Sequence, residues 1–379
     1  MAKKKNDNET ELPQGDILDA FKILDDLNPK AAFLNDNSLS NVKDWIDTGC
    51  YALNAIISGS LYGGIPMGRL TGFIGPESCG KTLMANKIIA NAQKKGMYVA
   101  YFDTEGALDE ETAKRLGCDP AKIKHVPSEI TEDCRNQIVK FLNTVIEKKL
   151  QGKVLLVIDS LGNLITAQEK RKIDEGTDTP DMGNRAKALK SMMRAITHAA
   201  ATANCPVVFT NHIYDDPSAM HPTAIKKQAG GSGPLYMASV IVQMAKKTEK
   251  TDDAKNKDAN NEATFLAKGI NALTLRAFTT KNRFVTPFLE IEMYLNFRTG
   301  LNKYSGLLEM AEGYGVLEKA GHRYVFNGET LGFFKDWKDD DTVWDKVLPA
   351  LEKKLQTALA FKNENDEIDE VEEEVIEND

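Results

Sequence analysis

The run Gly75-Pro76-Glu77-Ser78-Cys79-Gly80-Lys81-Thr82 constrains this chain more than any other. It fits G-x-x-x-x-G-K-[ST] and lies between an apolar, strand-like segment (residues 70–74) and a helix-like one (residues 83–95). That strand–loop–helix setting is what the motif needs in order to work. Glycines let successive backbone N–H groups curl around phosphate oxygens, and the following helix aims its positive end at the same place. Lys81 supplies a point charge for β- and γ-phosphates, and the Thr82 hydroxyl is placed to ligate Mg²⁺. The run therefore predicts a nucleoside triphosphate site.

Two more strand signals follow. Residues 98–102 are apolar and lead into Asp103-Thr104-Glu105, and residues 154–158 lead into Asp159-Ser160. Short apolar runs alternating with helical stretches predict buried parallel strands in βαβ units. Carboxylates at the carboxyl ends of such strands face the crevice where ligands bind. Asp159 thus reads as the acid that orients the Mg²⁺ shell. Glu105 reads either as the group that polarises an attacking water or as an N-cap-like acid on the next helix.

Five cysteines without C-x-x-C spacing argue for free thiols in a reducing compartment rather than a disulfide frame or zinc site. No apolar stretch approaches the ~18 residues needed to span a bilayer. A soluble, cytoplasmic protein is expected, in the host cytoplasm if a phage encodes it. The net charge is −8, but residues 363–379 hold ten acidic and no basic side chains, and setting them aside leaves +2. Such a block reads as a solvated tail, or as one that also competes with phosphates for the body of the protein. The overall sign does not exclude DNA.

Along the chain, residues 1–12 are polar and are expected to be disordered. Residues 15–27 show near-helical apolar spacing, closed by Asn28-Pro29. An α/β core is expected over residues 42–297, with a loop-like insert at 246–261. From residue 300 short helices are expected, with one hairpin at 324–331 turning on Asn327-Gly328. Two polar stretches, 167–185 and 214–233, read as long loops, each following a strand and each near basic residues. They could form a groove that tracks a phosphate backbone, or be plain surface loops.

Taken together, several segments resemble the RecA recombinase family. They are Gly63-Gly64-Ile65-Pro66-Met67-Gly68-Arg69, the run 75–82, Asp103-Thr104-Glu105 with Ala107-Leu108-Asp109, and Lys281-Asn282-Arg283. Residues 158–164, 181–187, 210–212, 230–234 and 304–310 are more similar to its phage branch of UvsX-type strand-exchange proteins. The resemblance covers roughly residues 40–312 in order. It implies a RecA-like P-loop ATPase core with a central, mostly parallel sheet, an N-terminal helix and a small C-terminal α/β region. The implied domains are a tail and oligomerisation helix (1–41), the core with two DNA-binding loops at about 167–184 and 214–233 (42–299), a C-terminal region (300–362) and the acidic tail (363–379).

The resemblance further implies a homo-oligomeric helical filament on single-stranded DNA that exchanges strands with a duplex, uses ATP and Mg²⁺, and works with single-strand-binding and mediator proteins. Lys81 and Thr82 become phosphate and Mg²⁺ contacts, Glu105 the catalytic acid, Asp159 the second Mg²⁺-side carboxylate and Asp109 an adenine contact. His212 becomes the γ-phosphate sensor, and Lys281 and Arg283 the cations that reach into a neighbour's ATP. Met182, Gly183, Lys187, Arg194, Gly230 and Gly231 become DNA-side positions. Tyr214 stands at a basic position of bacterial members and could stack on a base. Thr112 stands where bacterial relatives carry an adenine-stacking Tyr. A hexameric helicase or motor on the same core, and a nucleotide-switched scaffold, are the competing readings.

Overall fold

Runs such as Leu70-Thr71-Gly72-Phe73-Ile74 and Val154-Leu155-Leu156-Val157-Ile158 are apolar on both faces, and a strand of that kind is stable only between two layers. The structure, a computed structural model, describes residues 14–28, 31–33, 41–106, 108–177, 183–214, 227–228, 231, 233–248, 272–296 and 299–359. The chain divides into two compact units, Met1–Lys43 and Asp44–Asp379. In the first, helix α1 (Gln14–Leu27) exposes Leu18, Phe21 and Leu24, and Phe21 meets Phe33 edge-on at 5.7 Å.

The second unit opens with a short antiparallel pair, β1 (Trp45–Ile46) and β2 (Ile65–Pro66), around helix α2 (Tyr51–Ser58). The main sheet then forms from β3 (Leu70–Gly75), β4 (Tyr98–Asp103), β5 (Ile123–Pro127), β6 (Val154–Asp159), β7 (Val207–Tyr214), the short β8 (Lys227–Gln228), β9 (Val240–Thr248), β10 (Ala272–Asn282), β11 (Glu290–Asn296) and β12 (Gly300–Leu301). Its order is β12-β11-β10-β9-β3-β7-β6-β4-β5, with β8 on the end of β7. The strands from β5 to β9 run parallel, and β9 to β12 are antiparallel.

Alternation along the strands feeds two cores. Phe73, Tyr101, Val157 and Val208 pack on one face with α2 and α3 (Lys81–Lys94). Ile74, Phe102, Ile158 and Phe209 pack on the other with α5 (Thr131–Glu147) and α7 (Asn184–Thr202). Gly72 lies where a Cβ would come within 2.4 Å of the Phe209 ring and 2.8 Å of Ile241. Gly72→Ala should therefore cost about 1–3 kcal/mol by overpacking. A lower urea midpoint at unchanged slope checks this; an unchanged midpoint would mean that the sheet centre yields.

Three expectations are corrected. The polar stretch from residue 167 begins as helix α6 (Ala167–Asp174), because Thr166 and Glu169 close a capping box. The insert at 246–261 begins inside β9, where Thr248 pairs with Leu273 of β10. The C-terminal region carries α11 (Asp341–Ala358), an 18-residue helix rather than a short one. Its Trp344, Val347, Leu348, Leu351 and Leu355 form a continuous buried stripe. Helices α9 (Leu307–Gly313) and α10 (Phe334–Trp337) and the sheet β13 (Glu318–Ala320), β14 (Arg323–Phe326) and β15 (Glu329–Gly332) complete this region. Asn327 and Gly328 both take positive φ in the turn between β14 and β15, as a type I′ turn requires. Residues 1–12, 363–379 and most of 246–261 lie outside the described residues.

Candidate nucleotide site and nucleic-acid face

Strand register decides which side chains meet. Gly75 at the end of β3 is level with His212 of β7, and Asp159 at the end of β6 is level with Asp103 of β4. The carboxyl ends of four neighbouring strands thus converge on one cavity of about 740 Å³, lined among others by Lys81, Thr82, Glu105, Asp159 and His212. This is where open α/β sheets place their ligands.

The loop after β3 curls tightly on itself. A Cβ on Gly75 would sit 2.5 Å from Cys79 Sγ and 2.6 Å from the Met244 carbonyl, so only glycine fits there. Pro76, Glu77 and Ser78 are exposed, Cys79 is buried, and Gly80 takes a left-handed φ of 88° to start α3. Burial pushes the Cys79 thiol up despite the charge of Lys81, so this cysteine fills space and is no nucleophile. Lys81 is buried and its Nζ donates to the carbonyls of Gly75 (3.1 Å) and Pro76 (2.7 Å), across the mouth of the loop.

Asp159 is the centre of a hydroxyl cluster. Its Oδ2 accepts from Thr82 Oγ1 (2.8 Å) and Tyr101 OH (2.8 Å), and its Oδ1 accepts from Thr210 Oγ1. A carboxylate and a threonine hydroxyl facing the loop are oxygen donors of the kind Mg²⁺ takes, and the pair fits the ion together with phosphate oxygens. Among the described residues no cluster of three or more His, Cys, Asp or Glu side chains suits a metal held by the protein alone. The arrangement suits an ion that arrives with its phosphates.

Glu105 follows β4. Its Oε1 accepts from Ser160 Oγ (2.7 Å), and His212 Nε2 lies 3.1 Å from the same oxygen. Both partners hold the same oxygen of the carboxylate, and the residue lines the cavity. The side chain is not a helix cap. That role belongs to Asp109, which caps α4 (Glu110–Arg115) by accepting from the backbone N–H and hydroxyl of Thr112, both at 2.8 Å. Asp109 is not among the residues lining the cavity.

Residues 24–302 match the profile of the RecA N-terminal domain family. The chain belongs to the RecA family. It is therefore a DNA-dependent P-loop ATPase of the recombination and repair type, and its sheet is the RecA-like α/β core. Similar proteins include the protein RecA of Wolbachia sp. subsp. Drosophila simulans (strain wRi), 31% identical over 76% of this chain and 74% of the relative. The protein RecA of Ehrlichia chaffeensis is 28% identical over 88% of each chain, and that of Cereibacter sphaeroides 29% identical over 71% of this chain and 72% of the relative.

Two cations of this RecA-family chain stay away from its own cavity. Lys281 is level with Ile241 of β9, and Ile241 with Gly72 of β3, so Lys281 lies toward the amino end of β3, away from the loop that follows Gly75. Its Nζ donates to the carbonyls of Leu235 (2.8 Å) and Tyr236 (2.9 Å), and Arg283 reaches the Tyr236 carbonyl at 3.4 Å. Burial, with Arg283 beside it, pushes the Lys281 amine down to about 8.

Several of the positions that the resemblance assigns to the DNA side lie on or beside α7. Gly183 starts it at φ 84°, Lys187, Lys190 and Arg194 are exposed along it, and Arg185 instead donates to the carbonyls of Leu164 (2.8 Å) and Gly162. A Cβ on Gly231 would meet Ala186 at 3.2 Å, and one on Gly233, at the start of α8 (Gly233–Met237), would meet Lys190 at 2.9 Å. The end of the second polar stretch thus packs on the first turns of α7. The backbone of Tyr214 ends β7 and pairs with Lys227. Met182 and Gly230 lie outside the described residues. Among the described residues no helix is long and apolar enough to cross a membrane.

Sequence reasoning missed Tyr101, Thr210 and Ser160 as partners of the two acids. Thr210 and Ser160 sit inside motifs already singled out, beside His212 and Asp159, so adjacency was the available signal. Tyr101 gave none, because a Tyr in an apolar strand reads as core.

Proposed function

We propose that this chain assembles on single-stranded DNA as a helical filament of the UvsX-like kind and catalyses homologous pairing and strand exchange, with each ATP bound where two subunits meet. One observation carries the reading. Among the described residues lining the cavity, Lys81 is the one Lys or Arg, while Lys281 and Arg283 sit toward the other end of the strands. A triphosphate there carries more negative charge than the described lining offsets. A neighbour stacked head-to-tail can bring the Lys281–Arg283 end against it, and a head-to-tail contact that does not close propagates into a helix.

The roles follow from the contacts. The loop amides and Lys81 bind the phosphates, and Thr82 and Asp159 would hold Mg²⁺, which when bound neutralises charge on the β- and γ-phosphates. Glu105 takes a proton from the attacking water on Oε2, while Ser160 and His212 orient it. His212 senses the γ-phosphate by exchanging its hydrogen bond to Glu105 for one to the nucleotide. It stands two residues before Tyr214, where the second polar stretch begins, so that exchange can bias the DNA loop. Lys187 and Arg194, with the glycines at 183, 230 and 231, track a phosphate backbone. Duplex DNA, single-strand-binding proteins and mediator proteins are the expected partners.

Electron microscopy with an ATP analogue and single-stranded DNA tests the assembly. Helical filaments are expected, and closed rings would favour a helicase or motor. His212→Ala should bind ATP and DNA but lose most of the DNA-stimulated part of hydrolysis. Turnover with and without single-stranded DNA measures this, and unchanged stimulation would remove the sensor role.

A further inference from the structure

The acid that precedes Glu105 by two residues is built as a support, and its partner comes from an edge strand. Asp103 ends β4 with only 4% of its surface exposed. Its Oδ1 accepts from the backbone N–H of Glu105 (2.9 Å) and of Gly106 (2.7 Å), so one carboxylate oxygen fixes the turn on which Glu105 stands. The other oxygen, Oδ2, lies 2.9 Å from Nε2 of His125 on β5. An ionised carboxylate can only accept, so that Nε2 carries the proton in this contact. The ring of His125 also stacks on Tyr101 (6.4 Å, 25°), whose hydroxyl binds Asp159. Burial would push the Asp103 carboxyl up, but His125 and the amides of Glu105, Gly106 and Leu108 outweigh it and hold the group below its ordinary value. Nothing in the chemistry of phosphate binding uses His125, since it does not line the cavity.

We infer that His125 is a positioning residue for ATP hydrolysis: by donating to Asp103 Oδ2 it sets the carboxylate whose other oxygen anchors the Glu105 turn. The inference rests on the reading of Glu105 as the group that activates water. Without His125, Asp103 Oδ2 faces solvent, the carboxylate can rotate about its terminal bond, and the amides of Glu105 and Gly106 lose a fixed acceptor. Small displacements of a group that must meet a water in line with the γ-phosphate are costly, up to about 100-fold for 1 Å. Nucleotide and DNA contacts are untouched, so the loss falls on kcat and not on KM.

The test compares His125→Ala and His125→Gln with the parent and with Glu105→Gln, all as full chains, for single-stranded-DNA-dependent ATP hydrolysis, affinity for a fluorescent ATP analogue, and thermal unfolding. His125→Ala should lower kcat about tenfold or more with KM and analogue affinity unchanged, assayed at a temperature where the variant remains folded. His125→Gln, whose amide nitrogen reaches the position of Nε2, should recover most of that loss. A His125→Ala kcat near the parent value overturns the inference. So does a loss that appears in KM as well, or one that His125→Gln does not repair. Should Glu105→Gln itself keep turning over, the reading of Glu105 fails independently of what the His125 variants do.

Discussion

Glu105→Gln should lower kcat for ATP hydrolysis by about 10²–10⁴-fold while leaving ATP and DNA binding in place. The amide keeps the shape of the carboxylate, and its oxygen still accepts from Ser160 and His212, the two groups that hold Oε1. What is lost is charge. The position of the other oxygen becomes an amide nitrogen, which cannot accept a proton from water. Filaments formed with ATP should therefore persist on single-stranded DNA and disassemble slowly. Steady-state phosphate release and DNA-bound lifetime measure the two halves of this expectation. Hydrolysis near the parent rate would show that another group activates the water.

Lys281→Ala with Arg283→Ala should reduce DNA-dependent hydrolysis by about 10³-fold or more, the range found when a charge-stabilising cation is removed from phosphoryl transfer. The same protein mixed with Glu105→Gln should regain activity. The first variant keeps its acid and the second keeps its cations, so interfaces that pair one of each are complete. Neither variant can do this if the cations act within their own subunit, and complete failure to complement, with both folded and co-assembling, would place them in cis. The pH dependence has a defined sign. With the Lys281 amine pushed down to about 8, the free subunit carries this charge below pH 8 and loses it as pH rises through that value. ATP-driven assembly should weaken above pH 8 because the amine must first take up a proton, and Lys281→Arg should remove that dependence. Light scattering across pH 6.5–9.5 follows it.

Much of the nucleotide site was legible because its parts are contiguous. A buried strand, a loop that only glycine can turn and a helix start occupy residues 70–82 without interruption, and each is a local consequence of residue type. Strand ends carrying Asp103, Glu105 and Asp159 were legible for the same reason. The turn at Asn327-Gly328 needs positive φ at both residues, which few other pairs allow. Helix α6 was legible in principle, since the Thr166–Glu169 box announces it, but its low apolar content hid it among loop residues. The length of α11 was misjudged although Trp344, Val347, Leu348, Leu351 and Leu355 keep helical spacing, with Pro349 inside the helix among them.

By itself the sequence determined the phosphate loop, the α/β class and which acids stand at the strand ends, because those depend on neighbours within a few residues. Tertiary structure alone decided the rest. His125 meets Asp103 across 22 residues because β4 and β5 pair in one register, and a one-residue shift would put Lys124 or Val126 there instead. Tyr101 reads as core until β6 lies beside β4 and brings Asp159 to its hydroxyl. Asp109 caps a helix beyond the cavity lining, which the motif around it did not reveal. Lys281 and Arg283 point away from their own cavity only because β10 runs antiparallel to β9. The physical reason is common to all but Asp109, whose partner Thr112 lies only three residues along the chain. Side-chain chemistry is carried by the residue, but the partner that gives it a role is chosen by strand pairing, which no short window of sequence contains.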